Sequence, residues 1–134
     1  MKPRDAFKAL KKIAKSYPGA WEDHPWGETV YKVGKKVFVF MGTGRGDGSL
    51  GMSCKLPQSS EAAITMFSFA TPTAYGLGKS GWVSAHFGKK DDVPVELLRQ
   101  WLEESYQAIA PKRAAQAEAP RSPRRRRSAP RRAE

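Results

Sequence analysis

The sequence holds a single cysteine, Cys54, among its 134 residues. No disulfide can form within the chain, and no zinc site can be built on cysteine pairs. Histidine is almost as scarce, with only His24 and His86. No run approaches the ~20 consecutive apolar residues that span a bilayer. The opening MKPRDAFKALKKIAKSYPG lacks the unbroken apolar core of a secretory signal. A reduced, cytoplasmic setting without membrane insertion is therefore expected. Acidic residues are few as well: 13 against 24 lysines and arginines, a formal net charge of +11.

Large apolar residues are absent from the whole segment KRAAQAEAPRSPRRRRSAPRRAE, residues 112–134. Such a stretch cannot bury enough surface to offset the entropy of ordering it. It is expected to be a disordered Arg/Pro/Ala-rich basic tail, leaving residues 1–111 as one domain. The tail carries nine basic and two acidic residues, including Arg124, Arg125, Arg126 and Arg127, for a net +7; the first 111 residues carry +4. Basic arms of this kind meet polyanions, nucleic acid foremost. A merely solubilising tail is the competing reading.

Within the domain, Phe7, Leu10, Ile13, Ala14 and Tyr17 recur at helical spacing with lysines opposite, which predicts an amphipathic first helix ended by Pro18 and Gly19. WEDHPWGE reads as loop. TVYKV and KVFVFM read as adjacent strands around a tight turn at Gly34. GTGRGDGSLG reads as a flexible hairpin connection. In the strand after it Leu50, Met52, Cys54 and Leu56 alternate with Gly51, Ser53 and Lys55. A short helix over 58–67 follows, then an irregular segment, then the strand WVSAHF. The last helix starts at Pro94 and carries Leu98, Trp101, Leu102, Tyr106 and Ile109 on its apolar stripe. The order predicts an α+β fold in two layers, a mainly antiparallel sheet with helices on one face.

TAYGLGKSGWV contains G-x-G-x-x-G at Gly76, Gly78 and Gly81, and GKS resembles the end of a P-loop. A dinucleotide fingerprint needs a helix opening within it, yet a strand follows. The P-loop spacing requires glycine where Thr73 stands. Gly46, Gly48 and Gly51 repeat the pattern, again before a strand, so it is weak by itself. Glycines of easy positive φ hold Lys79 beside Trp82, a cation and an aromatic suited to a phosphate and a stacked base. The reading preferred over this one has Trp82 packed on the sheet and Lys79 merely solvated.

EDHPWGETVYKVGKKVFVF, LGMSCKLP, PTAYGLGKSGWV and LLRQWLEESYQAIAPKR stand in this order along the chain. On these pieces, which cover most of Met1 to Arg113, the chain resembles the MmcQ/YjbR-like family of small bacterial proteins. The resemblance implies a compact α+β fold, described as a double wing and compared with CyaY-like folds, with a DNA-binding label but no catalytic activity or cofactor. The residues matching the family's signature are Glu22, Asp23, Pro25, Trp26, Gly27, Lys32, Lys55, Tyr75, Gly78, Lys79, Gly81 and Trp82. The arginine tail and the insert around Arg45 lie outside the pattern.

Other chemistry is thin. Glu22, Asp23 and His24 are sequence neighbours that diverge and rarely chelate together, so no metal or other cofactor is expected. Cys54 alternates with apolar residues, which suits a buried thiol over a nucleophile. Lys32, Lys35, Lys36, Arg45, Lys55 and Lys79, with Trp82, are the candidate phosphate-tracking residues of the domain; a solvated sheet face is the bland alternative. The expectation is a non-enzymatic nucleic-acid-binding protein of low sequence preference. DNA is the first partner and RNA the second, with a monomer as default. A protein adaptor, or a small-ligand domain using EDHPWG and YGLGKSGW as one cleft, are the alternatives.

Overall fold

Helix α1 (Pro3–Ser16) forms where the apolar spacing predicts it, with Ala6, Leu10 and Ala14 buried along one side. Tyr17 leaves the helix in an extended conformation ahead of Pro18, and Gly19 turns the chain at φ +76°. The computed structural model describes residues 1–25, 28–43, 47–74 and 77–110. Strands β1 (Ala20–Asp23), β2 (Thr29–Val33), β3 (Lys36–Thr43) and β4 (Leu50–Lys55) come next, then helix α2 (Ser60–Met66). Strand β5 (Ala70–Pro72), a 3-10 turn (Leu77–Ser80), strand β6 (Trp82–Phe87) and helix α3 (Val95–Ile109) complete the described chain. The strands pair antiparallel in the order β1-β2-β3-β4-β6-β5.

Two expectations change. Trp21–Asp23, read as loop, is edge strand β1, and the irregular segment contains edge strand β5. Both are short and lack alternating burial of apolar residues; an open neighbouring edge, β2 or β6, makes strands of them, so pairing overrides local pattern. The boundaries also tighten: α2 is shorter than 58–67, and Pro94 is the residue ahead of α3 instead of its first.

The register sorts the two faces. Tyr31, Val39, Cys54 and Val83 form one buried row across four strands, and Met41, Met52 and Ala85 form the next. The helices cover this side. On the other face lies the row Asp23, Val30, Phe40, Ser53, Ser84 and Thr71. Val30 and Ser84 are buried there too, so the expected half-buried strands are covered on both sides at the sheet centre.

A bulge ties the layers together. Tyr31 pairs with Val39 but Lys32 with Val37, so Phe38 is the extra residue on β3. Its ring packs edge-on against Tyr17 and Tyr106, which stack on each other with centroids 4.8 Å apart. The β3–β4 ladder stops at Val39 and Cys54. One residue further, the buried Ser105 hydroxyl of α3 enters it, donating to the Phe38 carbonyl and accepting from the Lys55 amide at 2.9 Å. Its neighbours act alike. Glu104 accepts from the Gln58 and Ser59 amides and the Ser59 hydroxyl, while the Tyr106 hydroxyl donates to the Pro18 carbonyl at 2.6 Å. Three successive α3 residues thus hold the start of α2, the end of the ladder and the turn after α1.

Ser105→Ala leaves both the Phe38 carbonyl and the Lys55 amide without this partner. A loss of about 1–3 kcal/mol is expected, read as a lower urea midpoint at unchanged m-value. An unchanged midpoint would show that the bridge contributes nothing.

Candidate functional site

Four lysines come to one end of the sheet through strand direction. β2 ends and β3 begins there, with Val33 opposite Lys36; β4 ends and β6 begins there, with Lys55 opposite Trp82. Lys35 sits in the two-residue turn after β2, where Gly34 has φ +62°. Lys79 lies on the 3-10 turn just ahead of β6. Lys35, Lys36 and Lys79 are exposed and Lys55 is half-buried. Among the described residues, the ion pairs are Met1 and Lys2 with Asp92, His24 with Glu22, Lys32 with Asp23 and Arg99 with Glu96. None of the four lysines takes part.

The glycines around Lys79 act in two ways. Gly81 adopts φ +88°, and its carbonyl accepts from the Leu56 amide at 2.8 Å, which joins the loop to the residue after Lys55. Gly78 was expected to use positive φ. It is needed instead for close approach, because a Cβ there would stand 2.8 Å from that of Pro72.

Two candidates are already engaged within the fold. Lys32 bonds Asp23 at 2.7 Å and lies 5.3 Å from the centre of the half-exposed Trp21 ring, so its charge is already matched. Trp82 is only 8% exposed and packs edge-on against Phe40 at 5.5 Å, so it offers no free face for base stacking. Arg45, Trp26, Gly27, Tyr75 and Arg124, Arg125, Arg126 and Arg127 lie outside the described residues. Thr43, from which the chain runs toward Arg45, pairs with Leu50 at the end of the sheet opposite the lysines.

The acidic signature residues serve the fold. Glu22 accepts from the Tyr31 hydroxyl and pairs with His24 Nε2, both at 2.6 Å. The Tyr31 hydrogen bond, more than any other influence, holds its carboxyl below the usual glutamate range. Asp23 is lowered chiefly by its bond from Lys32. Half-buried Pro25 accepts from the Glu28 amide at 3.0 Å, closing the turn into β2. Among the described residues, no three His, Cys, Asp or Glu side chains gather as a metal site. The buried Cys54 thiol is pushed up by desolvation, away from the thiolate a nucleophile requires.

The described residues of EDHPWG and YGLGKSGW do not meet in a single cleft. Asp23 and Thr29 anchor the first at one end of the sheet, beside edge strand β1. Pro72 and Trp82 anchor the second at the other end, beside edge strand β5. An open groove of about 410 Å³ lies at the end opposite the lysines, lined by Gly42, Thr43, Gly51 and His86 among others. No helix among the described residues is long and apolar enough to cross a membrane.

Sequence reasoning passed over Glu104 and Ser105 as functional parts of the fold. Their partners are more than 40 residues away, so their role is not legible locally, although both stand in the LLRQWLEESYQAIAPKR piece that carries the resemblance. It also left aside Arg4, Lys8, Lys12 and Lys15 on α1, although their spacing is plain in the sequence.

The family model described as YjbR matches residues 15–108. A crystal structure of a Deinococcus radiodurans protein with the domain DUF419 is similar at a TM-score of 0.63 and 24% identity, over 87% of each chain. At that identity the likeness speaks for the fold. No curated protein matches.

Because its folded pKa is depressed, Glu22 contributes stability that is complete above the ordinary carboxylate pKa and is lost as pH falls through the folded value. Glu22→Gln should therefore flatten the fall in Tm between about pH 6 and pH 3. A fall as steep as that of the unsubstituted chain would show that the Tyr31–Glu22 bond carries no such linkage.

Proposed function

The chain belongs to the YjbR family, and from that premise we propose that it binds nucleic acid, DNA foremost, through the phosphate backbone and with little sequence preference. One observation carries the reading: Lys35, Lys36, Lys55 and Lys79 come to one end of the sheet, and none of them has a carboxylate partner among the described residues. Exposed cations without a carboxylate partner, as Lys35, Lys36 and Lys79 are, suit neutralising phosphates and releasing the counterions condensed on them. Trp82, buried beside Lys55 and Lys79, offers no face to a base, which at this end favours backbone contact over base readout. The basic segment 112–134 adds sequence-independent attraction over a longer range. No catalytic step enters this mechanism. Binding consists of charge neutralisation with counterion release, and the lysine end sets how the backbone lies on the domain.

The measurement is fluorescence anisotropy of labelled duplex and single-stranded DNA over a salt series. About six phosphates neutralised by the basic segment alone give a log–log slope of about −5, and each domain cation that meets a phosphate steepens it by about 1. K35Q/K36Q/K79Q should make the full chain's slope shallower by about 2–3. If the triple variant keeps both slope and affinity, the lysine end is not the site. If a peptide of residues 112–134 alone reproduces all of the binding, the domain has another partner, an acidic protein surface being the next to try.

A further inference from the structure

Helix α1 carries a second set of cations. At 3.6 residues per turn, Arg4, Lys8, Lys11, Lys12 and Lys15 fall within an arc of roughly 100°, about opposite Ala6, Leu10 and Ala14. Arg4, Lys8, Lys12 and Lys15 are exposed, and none makes an ion pair with a described residue. Lys11 is half-buried and engaged, with its amine 5.1 Å from the centre of the Phe7 ring and its charge felt by Glu22. We propose that the outer face of α1 is a docking surface for a nucleic-acid strand, with Arg4, Lys8, Lys12 and Lys15 each meeting a phosphate. The proposal rests on the nucleic-acid reading above and names a different face for it.

Uncompensated charge marks this face. Arg4 with Lys8, Lys8 with Lys12 and Lys11 with Lys15 are like-charged pairs four residues apart, and such pairs weaken a helix. The one acid on α1 is Asp5, in the first turn. Helix α3 is built the other way, with Arg99 bonded to Glu96 three residues before it. A row of phosphates would relieve the repulsion on α1. Arg4 to Lys15 spans about 16 Å along the helix axis, the rise of about five phosphates along one DNA strand. The row also leads toward the lysine end. Lys15 lies in the last turn of α1, and the chain then enters β1 at Ala20, which pairs with Val33 beside the Lys35 turn.

An anionic bilayer is the rival polyanion. A helix that lies on a membrane needs a free apolar side, and here Ala6, Leu10 and Ala14 are fully buried in the core. Rigid placement on a folded domain suits a regular array of phosphates better.

The test uses the full chain and three probes: labelled duplex DNA, phosphatidylserine vesicles and a polyglutamate peptide. R4Q/K8Q/K12Q/K15Q retains good helix formers at all four positions, and an unchanged circular dichroism spectrum checks the fold. The DNA salt slope should become shallower by about 3–4, and each single substitution should account for about 1. An unchanged DNA slope overturns the proposal. If K35Q/K36Q/K79Q still weakens DNA binding in that case, the lysine-end reading survives alone; if neither variant does, both readings fall. Loss confined to vesicles or polyglutamate also overturns it and assigns the face to lipid or to an acidic protein. Should the quadruple variant lose its fold, the salt slopes of the four single variants decide between the same outcomes.

Discussion

A hydroxyl inserted where a strand ladder stops joins the helix layer to the sheet. Ser105 satisfies the Phe38 carbonyl and the Lys55 amide, two backbone groups that stand just past the last β3–β4 pair, Val39 with Cys54. Backbone groups left without a partner are costly, so the Ser105 bridge favours α3 at this height. Glu104 and Tyr106 fix the same helix against the start of α2 and the turn after α1. The rings of Tyr17, Phe38 and Tyr106 fill the space between these bonds.

That junction also sets the chemistry of the surface nearby. Lys55 closes β4 at the residue whose amide Ser105 holds, and Lys35 and Lys36 lie where β3 begins, short of the bulge. The loop bearing Lys79 is attached through Gly81 to Leu56, directly after Lys55. Local backbone bonds therefore decide where the cations stand, while their side chains have no carboxylate partner among the described residues. The acids of the signature are spent elsewhere: Glu22 on Tyr31 and His24, Asp23 on Lys32. Part of the family pattern is thus explained by architecture, and the charge available to a partner is what remains after that pairing.

Much of the layout was legible in the residues. α1, the β2–β3 hairpin, the alternating strands β4 and β6, and the stripe of α3 all announce themselves by period and turn chemistry. β1 and β5 do not, because a short edge strand is made by its neighbour's unpaired groups rather than by its own pattern. Among site residues, Lys35, Lys36 and Lys79 stand exposed, whereas Lys32 is paired and Trp82 is packed on the sheet, as the preferred reading of its residues had it. Alternation tells which face a side chain takes, but not whether Asp23 on the next strand will neutralise it or whether that face will be covered.

The amino-acid order by itself determined most element types, the antiparallel α+β class and the strongly basic balance, since these follow from local periodicity and composition. Tertiary structure alone decided which charges remain free, which end of the sheet each loop occupies, and which α3 residues hold three distant segments together. Those outcomes depend on register and on partners dozens of residues apart, and no local window of sequence contains both members of such a pair.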